Sequence, residues 1–152
     1  MITDAPAAER TAQPSIDVMQ ASNALHADAP VQRHATRPWG SWTVLQEAAG
    51  YKVKLVEVQP GQRLSLHYHY NRSEHWVVVA GKARIVIGQQ RYDMHLMQSV
   101  LIPARTIHRI ENPYSEPLQV VEVQRGDRLD EDDIVRLEDD YQRLHLAGGI
   151  RL

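Results

Sequence analysis

The sequence predicts an all-β domain, either a sandwich or a barrel of short strands. Apolar runs rich in β-branched residues recur from residue 41 onward at intervals of roughly 8 to 12 residues, which is the spacing of such folds. Turn-forming residues separate these runs, and no helical periodicity interrupts the series. A length of 152 residues with 43% apolar content suits a single domain with its own core.

The elements are predicted in chain order as follows. Residues 1–35 are rich in Ala, Pro, Ser and Gln without a sustained period, so we expect a disordered leader. The domain is expected over residues 36–143, opening on a turn in which Pro38 and Gly40 set the chain direction and Trp39 anchors it. The predicted strands are 41–45, 51–58, 63–69, 75–80, 83–87, 90–95, 100–102, 106–111 and 118–124.

The last part of the chain has a different character. Residues 126–141 are acidic, with Ile134, Leu137 and Tyr141 at helical spacing and Asp130 in the position of an N-cap. This pattern predicts a short C-terminal helix, followed by a tail at residues 144–152. Acidic residues in the first turn of a helix are explained by the helix dipole, which makes a second metal site there the weaker interpretation.

Composition excludes several classes of partner. A net charge of −2 argues against a nucleic-acid or membrane surface, because such surfaces need clustered Lys and Arg. The absence of cysteine excludes disulfides and thiolate metal ligands. No apolar run approaches the length of about 20 residues needed to span a bilayer, and the N-terminus lacks a signal pattern. We therefore expect a cytoplasmic protein with a small-molecule ligand.

Two histidines mark a candidate metal site. In a strand, His67 and His69 point to the same side with Cα atoms roughly 6.6 Å apart. The returning strand places Glu74 opposite them, and His108 in a later strand is the candidate fourth ligand. A lone His-x-His is common in strands, so the prediction depends on the complete set. This set suits one divalent ion, with Zn²⁺ expected first and Mn²⁺, Co²⁺, Fe²⁺ or Ni²⁺ as alternatives.

The spacing around these residues resembles the paired motifs of the cupin superfamily. Gly-x5-His-x-His-x4-Glu-x6-Gly spans residues 61–81, and Pro-x4-His-x3-Asn spans residues 103–112. The resemblance implies a double-stranded β-helix, or jelly-roll, barrel and the same four ligands. The second motif departs from the family at Met97 and Arg105, where glycines are usual. These departures are expected to change turn chemistry without removing a ligand.

The flanking segments resemble the type II mannose-6-phosphate isomerase family. They are residues 37–40, 51–54, 64–66, 72–76, 108–113 and 131–139. In that family this module is often the C-terminal half of a bifunctional enzyme with a mannose-1-phosphate guanylyltransferase half. No glycine precedes Gly40, so the leader lacks a glycine-rich phosphate loop and we expect the isomerase module alone. Many members carry Gln at the position of His67 and His-His at Tyr70 and Asn71, so another sugar isomerase or an epimerase stays open.

The resemblance implies interconversion of mannose 6-phosphate and fructose 6-phosphate through an enediol. Lys54 and Glu122 are the candidate bases, because Glu122 is an acid in an otherwise apolar strand. An internal ion pair or an outward orientation is the alternative for both. Ser65 shares the inward side with His67 and is a candidate substrate contact.

Fixed cations are needed for the substrate's phosphate. Arg72 in the turn between the ligands and Arg109 beside His108 are the candidates, with surface solvation as the alternative for each.

Two other functions and one assembly state follow from the same residues. A sugar-binding or regulatory cupin would keep the metal without turnover, and a cupin dioxygenase would use the same ligands around Fe²⁺. Leu64, Leu66 and Tyr68 should form an apolar row on the side of their strand opposite the ligands. Such a row must be covered by the second sheet, by the tail or by another subunit. The family resemblance favours the last, so a homodimer is expected.

Overall fold

A computed structural model describes residues 33–143 and shows two antiparallel sheets packed as a barrel, with no helix in that range. The strands are β1 (His34–Arg37), β2 (Gly40–Ala48), β3 (Tyr51–Val58), β4 (Leu66–Tyr68), β5 (Arg72–Ala80), β6 (Ala83–Ile87), β7 (Gln90–Met94), β8 (Ser99–Ile102), β9 (His108–Glu111), β10 (Leu118–Gly126) and β11 (Val135–Glu138). One sheet has the order β1-β2-β3-β10-β5-β8, and the other has the order β11-β4-β9-β6-β7. The predicted all-β barrel is confirmed.

The interior of the barrel has an apolar half and a polar half. Buried and less buried residues alternate along β3, β5 and β10, which pair side by side, so each strand sends every second side chain inward. At one end the inward residues of these strands are apolar, namely Val56, Val58, Trp76, Val78, Leu118 and Val120. At the other end they are buried and polar, namely Lys52, Lys54, Arg72, Glu74, Glu122 and Gln124. The apolar half forms the core, and the polar half lines a cavity.

Three four-residue turns share the same closing hydrogen bond and a positive φ at the third residue. In each turn the amide of the fourth residue donates to the carbonyl of the first, at 3.1 Å (59–62), 3.0 Å (95–98) and 3.3 Å (103–106). The third residue has a positive φ in each turn, 74° at Gly61 and 64° at both Met97 and Arg105. A type II turn requires this and favours glycine there. Met97 and Arg105 therefore stand at turn positions that favour glycine, and each holds a side chain in a strained region of backbone conformation.

Met97→Gly is therefore expected to stabilise the protein. A left-handed residue with a Cβ costs about 1–2 kcal/mol, and the extra chain entropy of glycine offsets roughly 0.5–1 kcal/mol of that gain. A net gain of about 0.5–1 kcal/mol should raise the thermal midpoint by roughly 2–4 °C, measured by circular dichroism. Leu96→Gly is the control, because Leu96 precedes Met97 in the turn with a φ outside the left-handed region and should lose stability. A midpoint for Met97→Gly at or below wild type would contradict this account.

The predicted C-terminal helix is wrong. Residues 135–138 form β11, which pairs with β4 at the edge of its sheet, and Asp130 lies in a turn rather than at a helix start. Ile134, Leu137 and Tyr141 have helical spacing in the sequence, but part of their segment forms a strand instead. This pairing is favoured because β11 provides hydrogen-bond partners for backbone N–H and C=O groups along the otherwise free edge of β4.

Strand boundaries differ from the predictions at several places. β1 was not predicted, and it begins inside the segment assigned to the leader. The predicted strand 63–69 is reduced to Leu66–Tyr68, while β5 begins at Arg72 instead of residue 75 and β9 at His108 instead of residue 106. The predicted leader up to residue 32 and the predicted tail at 144–152 lie outside the described residues.

The predicted apolar row on the outer side of β4 is shorter than expected. Leu64 precedes the strand and packs against the core, which leaves Leu66 and Tyr68 half-buried in alternation with His67. A homodimer stays a prediction, which the mass measured by light scattering can check.

Within residues 33–143 the chain offers no helix of the length and apolarity that a membrane crossing needs.

Candidate metal centre and cavity

The four predicted metal ligands meet at the polar end of the barrel. His67 on β4 pairs directly opposite His108 on β9, and His69 follows β4 by one residue. The ring centroids of these histidines are 4.5–5.2 Å apart, and one nitrogen from each lies within 4.8 Å of the other two. Glu74 on β5 faces them, with Oε1 3.1 Å from His69 Nε2 and Oε2 3.5 Å from His108 Nε2.

Backbone carbonyls fix the orientation of all three imidazoles. The Nδ1 atom of His67 lies 2.8 Å from the carbonyl of Ser65, and that of His108 lies 2.7 Å from the carbonyl of Thr106. His69 Nδ1 makes the same kind of bond to the carbonyl of Asp133. A carbonyl can only accept, so each Nδ1 must carry the proton. Each Nε2 then has a lone pair directed into the site, as in histidines that bind metals, and Arg72 Nη2 lies 3.4 Å from the Nε2 of His69.

The electrostatics of the site favour a cation at its centre. Burial, together with neighbouring His108 and His69, holds the pKa of His67 well below its usual value, so this ring is neutral. Burial raises the pKa of Glu74, but donated hydrogen bonds and positive charge at His108 and His69 outweigh it and hold that pKa well below the usual range. With the Nδ1–H tautomers set by the carbonyls, a bound ion would supply that positive charge, because His69 Nε2 and the Glu74 carboxylate then face each other as two acceptors 3.1 Å apart.

The donor set fits a divalent transition metal ion or Zn²⁺. His108 Nε2 is buried and has no hydrogen-bond partner among the described residues, although such atoms normally find one. One ion held by three neutral imidazoles and a carboxylate would satisfy this nitrogen and separate the facing acceptors. Bonds of about 2.1 Å to one ion place neighbouring ligand atoms roughly 3.0–3.4 Å apart, close to the observed contacts of Glu74. The same ligands accept several metals, so the identity of the ion is open.

Asp133 supports the site and was missed in the sequence. Its buried carboxylate accepts three bonds of 3.1 Å, from the amides of Tyr70 and Asn71 and from the Asn71 side chain. Its carbonyl holds His69. The interpretation of residues 130–141 as a helix hid this contact, and no local pattern reveals a bond between residues 64 positions apart.

Glu122 lies beside the metal ligands in a network of shared hydrogen bonds. Trp76 Nε1 donates to both Glu74 Oε2 and Glu122 Oε2, each at 3.1 Å. Gln124 Nε2 donates to Glu122 Oε1 at 2.6 Å and lies 3.3 Å from Glu74 Oε1. Burial, and then the charge of Glu74, raise the pKa of Glu122 to about 7 against the opposing charges of Lys54 and Arg72. This carboxyl is therefore a weaker acid than that of an exposed glutamate.

Lys54 and Ser65 also line the cavity. Lys54 is the direct partner of Glu122 in the β3–β10 pairing, so both side chains point inward. Its ammonium group forms an ion pair with Glu131 and lies 4.4 Å from the centroid of the Trp42 ring. Ser65 is buried, with Oγ 3.1 Å from His67 Nδ1.

Gln124 was missed in the sequence analysis, although strand alternation from Glu122 already places its side chain on the inward side of β10.

The two arginines predicted to bind phosphate occupy different places. Arg72 lines the cavity, but its nitrogens are engaged by Glu74 Oε1 at 3.1 Å, the Asp130 carbonyl at 2.9 Å and His69 Nε2 at 3.4 Å. Arg109 does not line this cavity. Its neighbour His108 points inward, and Arg109 instead contacts Glu111 at 3.0 Å and Glu138 at 3.1 Å.

Solved structures share this fold. Oxalate decarboxylase of Bacillus subtilis, a protein with Mn(II) centres, matches 70% of this chain and 30% of its own at a TM-score of 0.61 and 23% identity. A double-stranded β-helix protein of Klebsiella pneumoniae matches 58% of this chain and 77% of its own at a TM-score of 0.54 and 21% identity. At these identities the likeness shows the cupin fold alone.

Curated relatives are more similar in sequence. The alginate biosynthesis protein AlgA of Pseudomonas aeruginosa is 45% identical over 76% of this chain and 25% of its own length. The xanthan biosynthesis protein XanB of Xanthomonas campestris is 41% identical over 83% of this chain and 27% of its own. The mannose-1-phosphate guanylyltransferase RfbM of Salmonella typhimurium is 43% identical over 67% of this chain and 21% of its own length. The chain thus spans about a quarter of these relatives.

The family model described as Mannose-6-phosphate isomerase C-terminal matches residues 25–139, which include every residue of the candidate metal centre. The predicted resemblance is confirmed: the chain is a cupin and belongs to the mannose-6-phosphate isomerase C-terminal family.

Proposed function

We propose that the chain is a metal-dependent aldose–ketose isomerase that interconverts mannose 6-phosphate and fructose 6-phosphate. The observation that carries this proposal is the carboxyl of Glu122, which is buried in the cavity and shares the indole N–H of Trp76 with the ligand Glu74. A buried carboxyl next to the metal centre is a group that can accept a proton from one carbon and return it to the next, and burial raises its pKa toward the range that such a role needs. Membership in the isomerase family supports the same reaction.

The metal would be held by His67, His69, Glu74 and His108. When bound, the ion supplies Lewis-acid stabilisation of negative charge on the C1 and C2 oxygens of the open-chain sugar. The apolar half of the barrel closes the floor of the cavity, and the buried Trp76 lies where this half meets the polar residues.

The chain's own residues would move the proton. The ionised Glu122 carboxylate takes the proton from C2, and the resulting acid delivers it to C1, while the hydroxyl proton passes from O2 to O1. Trp76 and Gln124 hold the carboxyl in position through their donated hydrogen bonds. The Lys54 ammonium opposite Glu122 favours the ionised form that starts the cycle.

The direct test is turnover by the purified protein loaded in turn with Zn²⁺, Mn²⁺, Co²⁺ and Fe²⁺. We expect fructose 6-phosphate to form from mannose 6-phosphate with at least one metal. An enediol route also allows exchange of the C2 hydrogen with solvent deuterium whenever protonated Glu122 equilibrates with water before it returns the proton, and nuclear magnetic resonance detects this exchange. Other phosphosugars in the panel would identify an isomerase or epimerase with a different substrate.

The two other functions predict different results in this assay. A sugar-binding cupin would bind a phosphosugar without product or exchange, and a dioxygenase would need O₂ for activity. The absence of both product and exchange with every metal would overturn the isomerase proposal in favour of the binding protein.

A further inference from the structure

We propose that Arg37, Arg136 and Arg143 form an anion subsite at the cavity, which takes the phosphate of a phosphosugar. These three residues, here called the arginine cluster, come from β1, from β11 and from the segment after β11. All of them line the same cavity as the metal ligands His67, His69 and Glu74. The choice of phosphate as the anion rests on the proposed function.

Strand pairing places the arginine cluster next to the metal centre. Arg136 is the direct partner of His67 in the antiparallel pairing of β11 with β4. Residues opposite one another in such a pair project from the same face of the sheet, so both side chains belong to the same wall of the cavity. An anion on Arg136 would thus lie one side chain away from a ligand of the metal. This suits a substrate that carries its reacting carbons and its phosphate on one short chain.

The charges of the arginine cluster are incompletely balanced by the protein. Arg143 is paired with Asp139 through contacts of 2.6 and 3.0 Å. Glu131, the acid lining this cavity near the cluster, is already bound to Lys54. Within residues 33–143, Arg136 and Arg37 have no ion-pair partner, and Arg37 donates to the carbonyl of Thr36.

Arg136 is the central member of the cluster. Its Nε atom is buried without a hydrogen-bond partner among the described residues. Burial, and then the positive charges of Arg143 and Arg37, lower the pKa of Arg136 against the opposing charges of Asp139 and Glu131. An anion bound here would satisfy the buried donor and relieve the repulsion between the arginines, and phosphate matches the planar fork of a guanidinium.

The other cations of the cavity are already committed. The Nε, Nη1 and Nη2 atoms of Arg72 contact Glu74, Asp130 and His69, which commits three of its five N–H groups and pairs its charge with the Glu74 carboxylate. Lys54 is paired with Glu131. The arginine cluster is therefore the place where a phosphate gains contacts without breaking those of the metal centre.

Binding and kinetics of Arg136→Gln test the subsite in the full metal-loaded chain. Calorimetry with inorganic phosphate, mannose 6-phosphate and mannose separates affinity for the anion from affinity for the sugar. Loss of charge-assisted hydrogen bonds should lower the affinity for inorganic phosphate and for mannose 6-phosphate by about tenfold or more and leave the affinity for mannose unchanged. The KM for mannose 6-phosphate should rise by a similar factor with unchanged metal content. Arg128→Gln is the matched control, because Arg128 is exposed and pairs with Asp130 and Asp132.

A second variant keeps the test independent of folding. Arg37→Gln removes a positive charge from β1 and should lower the affinity for phosphate in the same way. It therefore replaces Arg136→Gln in the test if that variant fails to fold. Unchanged phosphate affinity and unchanged KM in folded variants of an active isomerase would overturn the subsite and leave the proposed function standing. Conversely, phosphate binding that depends on Arg136 in a protein without isomerase activity would support the subsite and overturn the proposed function.

Discussion

His69→Ala is expected to lower the affinity for the metal by more than about 100-fold, because removing an outer-shell partner alone typically costs 10–100-fold and this change removes a ligand. It also frees the carbonyl of Asp133. Elemental analysis after dialysis and competition with a chelator measure the effect. Isomerase activity should fall together with metal content.

His75→Ala is the control for this experiment. His75 neighbours Glu74 on β5, but alternation turns it to the exposed side of the strand. Its removal deletes an imidazole from the same part of the chain, and the affinity for the metal should stay at the wild-type level. Wild-type stoichiometry and affinity in His69→Ala would rule out the proposed centre.

Glu122→Gln is expected to lower kcat by about 10²–10⁴-fold, the usual contribution of a positioned general acid or base. The amide keeps the size of the side chain but cannot accept and return the proton. Phosphate binding should be unchanged, because Glu122 is not a member of the arginine cluster. Metal content must be measured in parallel and kcat expressed per bound metal, because Glu122 shares Trp76 and Gln124 with the ligand Glu74. Exchange of the C2 hydrogen with solvent should be lost to the same extent as turnover.

Glu57→Gln is the matched control for the change at Glu122. Glu57 lies on β3 away from the cavity, where it accepts bonds from Ser41 and Gln119. It should keep the wild-type kcat. If Glu122→Gln kept its kcat as well, the proton would have to be handled by another group, and Lys54→Met would be the next variant to test.

The metal centre was accessible from the sequence because its geometry is mostly local. Alternation alone places His67 and His69 on one side of a strand, and a short return places Glu74 against them. The inward position of Glu122 likewise follows from counting along β10, and its pairing with β3 brings Lys54 beside it. The structure brings all of these residues to one cavity.

What the sequence could not provide depends on contacts between distant segments. The helical spacing in residues 130–141 is a local signal, and it was overruled by the pairing of β11 with β4. That error concealed Asp133 behind His69 and Arg136 beside His67. The environment of Arg72 was also missed, since its bond to the Asp130 carbonyl spans 58 residues.

The order in which the protein folds follows from these long separations. Lys54 and Glu131 are 77 positions apart, and His69 and Asp133 are 64 apart, so large loops must close before the cavity exists. We therefore expect the hairpins around β6 and β7, and around β2 and β3, to form early, with the segment carrying Asp133 and Arg136 docking late. Interactions made after the transition state change the unfolding rate and leave the folding rate nearly untouched. A metal ion held in this cavity would then act on the lifetime of the native state, slowing its loss without hastening its formation.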